Sequence, residues 1–217
     1  MAAGPLPPPP RSAAERAQAA LTLAQDMLAV FDARAAPVLT SQELPIACRA
    51  GCAHCCRLEV SLSSSEALLA LRAIQDLPEA DQSRIRARID ALFPLLRGLD
   101  AAGRKRLNQP CPLLTDDEGC AIYAARPLSC RSHVSFDLEP CRADSANPDQ
   151  PTPIPTSRTL TQQRDAIRPR HRELEQALGL PAGRYELVQA LRILLNRADA
   201  AGRIARGDDA LRPARLS

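Results

Sequence analysis

Cys48-Arg49-Ala50-Gly51-Cys52-Ala53-His54-Cys55-Cys56 brings four thiols into nine residues, and a second group follows as Cys111-Pro112, Cys120, Cys130-Arg131 and Cys141. Thiolate is the preferred protein ligand of zinc and of iron–sulfur clusters. Cys52 and Cys55 have the C-x2-C spacing that sets two sulfurs on one centre, and Gly51 frees the backbone for the sharp turn before them. Side chains of the adjacent pair Cys55-Cys56 diverge, so they suit two irons of a cluster or two separate sites better than one tetrahedral ion. The reading that follows is a small helical domain around a loop-rich, cysteine-ligated metal centre.

The totals limit the alternatives. With 217 residues the chain suits one domain with extensions. Only 2% of residues are aromatic and there is no Trp, so the core rests on Leu, Ile, Val and Ala, and a metal cross-link would reinforce it. A net charge of +3 with interspersed signs gives no nucleic-acid footprint. The one basic cluster, Arg104-Lys105-Arg106, reads as a solvated turn. No stretch resembles a signal h-region or a bilayer span, so a cytoplasmic location without membrane attachment is expected. Thiols are kept reduced there, which favours metal ligation over disulfides.

Along the chain, residues 1–11 read as a disordered Pro-rich tail. A first helix and connector occupy 12–45, opened by the capping box Ser12/Glu15 and running to about Arg34. The cysteine domain spans 46–145. Within it Leu58, Val60 and Leu62 permit one short strand, and Ser63/Glu66 cap a helix through Ile74. A further helix carries Ile85, Ile89, Leu92 and Phe93 and is expected to end or bend at Pro94. Cys111 to Cys141 reads as loops with a hairpin around Asp117-Glu118-Gly119. A Pro-rich connector covers 146–158, two closing helices fill 159–206 (about Thr159–Leu178 and Arg184–Asn196), and 207–217 reads as a flexible tail. The fold class is mostly α, with at most a few short strands.

Spacing alone admits a single [4Fe–4S] cluster, two structural zinc sites, or a mixed site recruiting His54 or His133. Cys48, Cys52 and Cys55 also reproduce the C-x3-C-x2-C spacing of radical-SAM enzymes. Those enzymes place the cluster loop after the first strand of a β/α barrel, and no such strand series exists here. His171, on a charged helix, is expected at the surface.

Taken together, "CRAGCAHCC", "CPLL", "CAIYAARPLSCR" and the downstream Cys141 resemble the CxxCxxCC (YkgJ-type) family of zinc- or iron-chelating domains, over about Ile46–Asp144. The resemblance implies Cys48, Cys52, Cys55, Cys56, Cys111, Cys120, Cys130 and Cys141 as ligands. Leu113 departs from it, standing where the family commonly has Phe. The family is similar to a domain of flagellin lysine methylases, which brings an iron–sulfur enzyme into view. Beside the thiols, Arg57, Arg126 and Arg131 are placed to offset the negative charge of a thiolate centre, and Tyr123 to donate its hydroxyl. No catalytic group stands out: there is no P-loop, no HExxH and no GxGxxG after a strand. The expected function is coordination of iron, as an iron–sulfur cluster, or of zinc; the resemblance brings an iron–sulfur enzyme or enzyme component into view, and the sequence leaves open whether there is catalysis. The alternatives are a zinc-stabilised module that binds a protein partner without catalysis, and a metal storage or delivery protein.

Overall fold

A computed structural model describes residues 10–49 and 51–216; the expected tail falls mainly outside them, at 1–9. The helix α1 spans Ala13–Leu39. Ser12 Oγ accepts from Glu15 N–H and the Glu15 carboxylate returns the bond, the capping box read from sequence. The helix passes the expected stop at Arg34. Pro37 lies in its last turn, where a missing N–H removes one bond rather than a ladder. Pro94 is tolerated for the same reason near the end of α3 (Glu79–Leu96), which neither stops nor needs to stop there. Between them lies α2 (Ser64–Gln75), capped by Ser63 and Glu66 as expected.

The remaining elements are α4 (Ala101–Leu107), α5 (Leu128–Arg131), α6 (Leu138–Ala146), α7 (Arg158–Ala177), α8 (Leu187–Asn196) and α9 (Ala200–Ala205). The short α4 and α6, and α9, lie outside the sequence expectation. Two strands, β1 (Ser61–Leu62) and β2 (Tyr185–Glu186), pair antiparallel with Ser61 opposite Glu186. They are the only sheet among the described residues. The protein is mostly α, as the sequence implies.

Apolar side chains at helical spacing decide the packing. Ala20, Ala24, Met27, Leu28, Phe31 and Ala35 form the buried stripe of α1, which lies against α2, α7 and α9. Leu187, Val188, Leu191 and Leu194 bury one face of α8 against α2 and α3. Burying each such side chain contributes about 1.5–3 kcal/mol. The stretch 207–216, expected to be a flexible tail, instead closes this core. Leu211 and Ala214 are buried, Leu216 N–H donates to Arg184 O at 2.8 Å, and the Tyr185 hydroxyl donates to Asp209 at 2.8 Å. The connector 146–158 is also tied down: Thr156 bridges Ser135, and Phe136 N–H donates to Pro155 O at 3.0 Å. The loops carrying cysteines therefore lie between α1 and α2 and between α4 and α7, against a helical frame.

Candidate metal centre

The first thiol group is built from consecutive turns. Cys52 N–H donates to Arg49 O at 3.1 Å, Cys56 N–H to Ala53 O at 3.0 Å and Leu58 N–H to Cys55 O at 3.2 Å. Gly51 has φ +77°, the left-handed conformation its position before Cys52 suggested, and a Cβ there would sit 3.4 Å from Asp117 O. The second group is presented by the hairpin in which Leu114 bridges Cys120, by the turn Tyr123–Ala125 and by α5. Cys111 N–H donates to Cys56 O at 2.6 Å, which joins the two groups through the backbone. Cys48 Sγ accepts from Ser135 N–H at 3.3 Å.

Electrostatics then maps which thiols face one another. Burial raises the Cys48 thiol, and the charges of Cys52, Cys55 and Cys141 raise it further. Cys141 is raised by burial and by Cys52 and Cys55. Hydrogen bonding with Cys56, then burial, lifts Cys55 far above the usual thiol range. Burial pushes Cys111 up to about 12, with Cys120 adding to it. Cys130 is raised by burial and by Cys111, Cys55 and Cys120, and Cys120 chiefly by burial. Such charge effects fade over ~10 Å. Early and late cysteines are thus near enough to feel one another: Cys48, Cys52 and Cys141 share their influence with Cys55, and Cys130 is influenced by Cys55, Cys111 and Cys120.

All eight cysteines are free thiols and half-buried. Among the described residues, no three or more His, Cys, Asp or Glu side chains stand close enough to hold a metal ion as placed. The donor chemistry nevertheless fits a thiophilic cation. Buried, mutually repelling thiols resist ionisation on their own, and a bound cation reverses that and deprotonates its thiol ligands. The thiols that would hold it are those of the two groups.

The four expected supporting residues divide. Arg126 lies where it can offset thiolate charge, since it draws down the pKa of Cys55, Cys120 and Cys130. Its Nε is buried without a partner. Arg57 donates to Asn108 O at 2.7 Å, bracing the loop before Cys111. Arg131 is corrected: its guanidinium pairs with Asp32 of α1 and donates to Ala124 O and to Arg126 O, so it braces α5 against α1. Tyr123 is also corrected. It is 61% exposed, and its ring carries Arg126 at 4.4 Å instead of offering its hydroxyl to sulfur. Of the histidines, His54 Nδ1 lies 2.9 Å from Ser145 Oγ, and burial with Arg164 lowers the His133 pKa.

Arg104 was missed. Expected in a solvated turn, it is buried in α4, donates to Gln109 O at 2.8 Å, and its charge lowers the Cys111 pKa. Its neighbour Lys105 pairs with Asp144 at 2.6 Å. No local sequence signal separates Arg104 from Arg106; only the tertiary fold does. Leu113 fills its family-atypical position in full burial, as a packing residue.

The chain is thus a small, mostly helical protein with eight half-buried free thiols in two sequence groups. Residues 47–150 match the model of the CxxCxxCC family, described as a "Putative zinc- or iron-chelating domain". Comparison with curated proteins and with solved structures returns no match.

Proposed function

We propose that the cysteine centre holds an iron–sulfur cluster, with Cys55, Cys111, Cys120 and Cys130 as its four ligands and Arg126 as its compensating charge. The observation that carries this reading is the grouping of those four thiols, each raised by its surroundings, with Arg126 acting on Cys55, Cys120 and Cys130 and Arg104 on Cys111. A four-thiolate oxidised [4Fe–4S] centre is a net anion, and a nearby cation stabilises it. Such a cluster supplies one-electron chemistry when bound. The chain's own part is to bury the sulfurs, hold them in turns and place Arg126 against their charge. A cytoplasmic setting, where thiols stay reduced, suits this role and is part of the proposal.

A second reading is favoured by Cys48, Cys52 and Cys141, whose charges also bear on one another and on Cys55. The eight free thiols of the chain would suffice for two four-thiolate zinc sites, as in a module that binds a protein partner. Anaerobic purification with metal analysis and an absorption spectrum separates the two. About four irons per chain with a brown chromophore supports the cluster; about two zinc ions in a colourless protein rejects it in favour of zinc.

A further inference from the structure

Away from the thiols, α7, Met27 of α1, the cap residue Ser63 before α2 and the segment entering β2 line a cavity of 460 Å³, with Arg168, His171, Glu175 and Arg184 among its walls. The size suits a small molecule. Its charges are unequally spent. Glu175 accepts from Ser65 N–H at 2.9 Å, Ser65 Oγ at 2.7 Å and Ser64 Oγ at 3.2 Å, and lies 3.5 Å from His171 Nε2. These contacts all fall on one carboxylate oxygen, Oε1. Glu173, also on the lining, pairs with Arg170 at 3.0 Å.

The cations are less fully matched. Arg168 and Arg184 converge on Ser129, at 2.9 and 3.5 Å from its Oγ. Arg184 also donates to Ser61 Oγ at 2.6 Å and Ser61 O at 2.9 Å. Their carboxylate partners are loose: Glu66 lies 3.5 Å from Arg184, and Asp165 lies 3.6 Å from Arg168. Arg168 Nε is buried without a hydrogen-bond partner. Burial, with Arg184 and Arg164 crowding it, lowers the Arg168 pKa to about 10. Arg172 adds a third, exposed guanidinium to the lining.

His171, expected at the surface, is 5% exposed. Its Nε2 sits 2.8 Å from Ser65 Oγ and 3.1 Å from Ser63 Oγ, while its Nδ1 is buried with no partner. Ser, His and Glu meet here, yet both Glu175 and the serines approach the same ring nitrogen. A hydrolytic triad needs them on opposite nitrogens, so the cluster is a binding wall and not a nucleophile. Buried polar atoms left without partners mark a place where a polar ligand completes the site.

We propose that this cavity is a binding site for a small oxyanion-bearing ligand, a carboxylate or phosphoryl compound, held by Arg168 and Arg184 with Arg172 at the rim. Planar guanidiniums in pairs recognise such groups by bidentate hydrogen bonding. The site lies on elements outside the cysteine loops, and its occupancy is read without reference to metal.

Calorimetric titration of the anaerobically purified full chain with inorganic phosphate and, separately, with succinate tests the proposal, at ionic strength fixed by chloride. Saturable binding of at least one probe is expected. Phosphate alone assigns phosphoryl ligands, succinate alone assigns carboxylates, and comparable binding of both assigns the shared oxyanion chemistry. Arg168→Met is expected to weaken binding by at least ~10-fold and Arg172→Gln by ~2–3-fold. Should Arg168→Met fail to fold, nitrogen-15 spectra of the His171 ring in the unmodified chain serve instead, and its signals should shift with probe. Absence of saturable binding, wild-type affinity in a folded Arg168→Met, or His171 signals unmoved at saturation overturns the assignment.

Discussion

Removing the Glu66 carboxylate should loosen the cysteine centre from a distance. This side chain is 2% exposed and serves two backbones at once. One oxygen accepts from Ser63 N–H at 2.8 Å, completing the α2 cap, and the other accepts from Leu128 N–H at 2.8 Å, two residues before Cys130. Arg184 lies 3.5 Å from it. Hydrogen bonds to charged groups are each worth about 1.5–3 kcal/mol, and a buried donor left unpaired costs a comparable amount. Glu66→Ala should therefore destabilise by about 3–5 kcal/mol, less than a simple sum because the two bonds share one group. Glu66→Gln is the sharper case. Its amide has one acceptor and one donor end, and both backbone partners are donors, so one N–H must face an NH2 group. A loss of about 2 kcal/mol is expected from that mismatch. Equilibrium urea unfolding gives these values, and transfer of bound metal to a chelator should quicken in both variants because α5 is freed. A Gln variant as stable as wild type, or an Ala variant within about 1 kcal/mol of it, would refute the two-bond account.

Three further outcomes follow from the same geometry. Burial would raise the Glu175 pKa, but the bonds from His171 and Ser65 outweigh it and hold the group below the usual range; its stabilising contribution is full above the unfolded value of about 4.3 and is lost as pH falls through the lower folded value. Glu175→Gln should flatten that acid limb of stability in urea titrations between pH 3 and 6, chosen as roughly the window around that unfolded value; an unchanged limb speaks against it. Gly51→Ala, with φ fixed at +77°, should cost about 1–2 kcal/mol and lower metal retention, which unfolding and metal analysis together measure. Of Cys55→Ser and Cys56→Ser, at least one should abolish metal retention; full metal content in both contradicts a role for the adjacent pair.

Elements whose signal is local were legible in the sequence. The capping boxes at Ser12 and Ser63, the stripe of α8, the turn at Gly51 and the hairpin before Cys120 each depend on a few adjacent residues, and each stands where it was read. The short helices α4, α5 and α6 have too few turns to show an apolar period, and tertiary contacts rather than propensity hold them. Side-chain destinations were the least legible. Arg131 and Tyr123 stand beside or near cysteines in sequence yet point to Asp32 and to Arg126, because neighbours on a turn or short helix diverge. His171 lies on a helix rich in Arg and Glu, and the inward tilt of one face could not be seen through that charge.

Elements outside the matched stretch 47–150 brace the segment that carries Cys130. Arg168 on α7 and Arg184 beside β2 come from beyond that stretch, and both reach back to Ser129, the residue preceding Cys130. Ser129 Oγ in turn donates to Ser61 O at 2.6 Å, so α5 is pinned to the sheet that the C-terminal segment completes. The thiol of Cys130 is thus placed by side chains that the cysteine pattern does not contain. That arrangement explains why the first cap of α2, the anion-seeking guanidiniums and one thiol form a single polar network: each needs the others to satisfy donors buried between three elements. A ligand engaging Arg168 competes for donors that otherwise hold Ser129, and Ser129 adjoins a proposed ligand, so the cavity and the cysteine centre share one mechanical support.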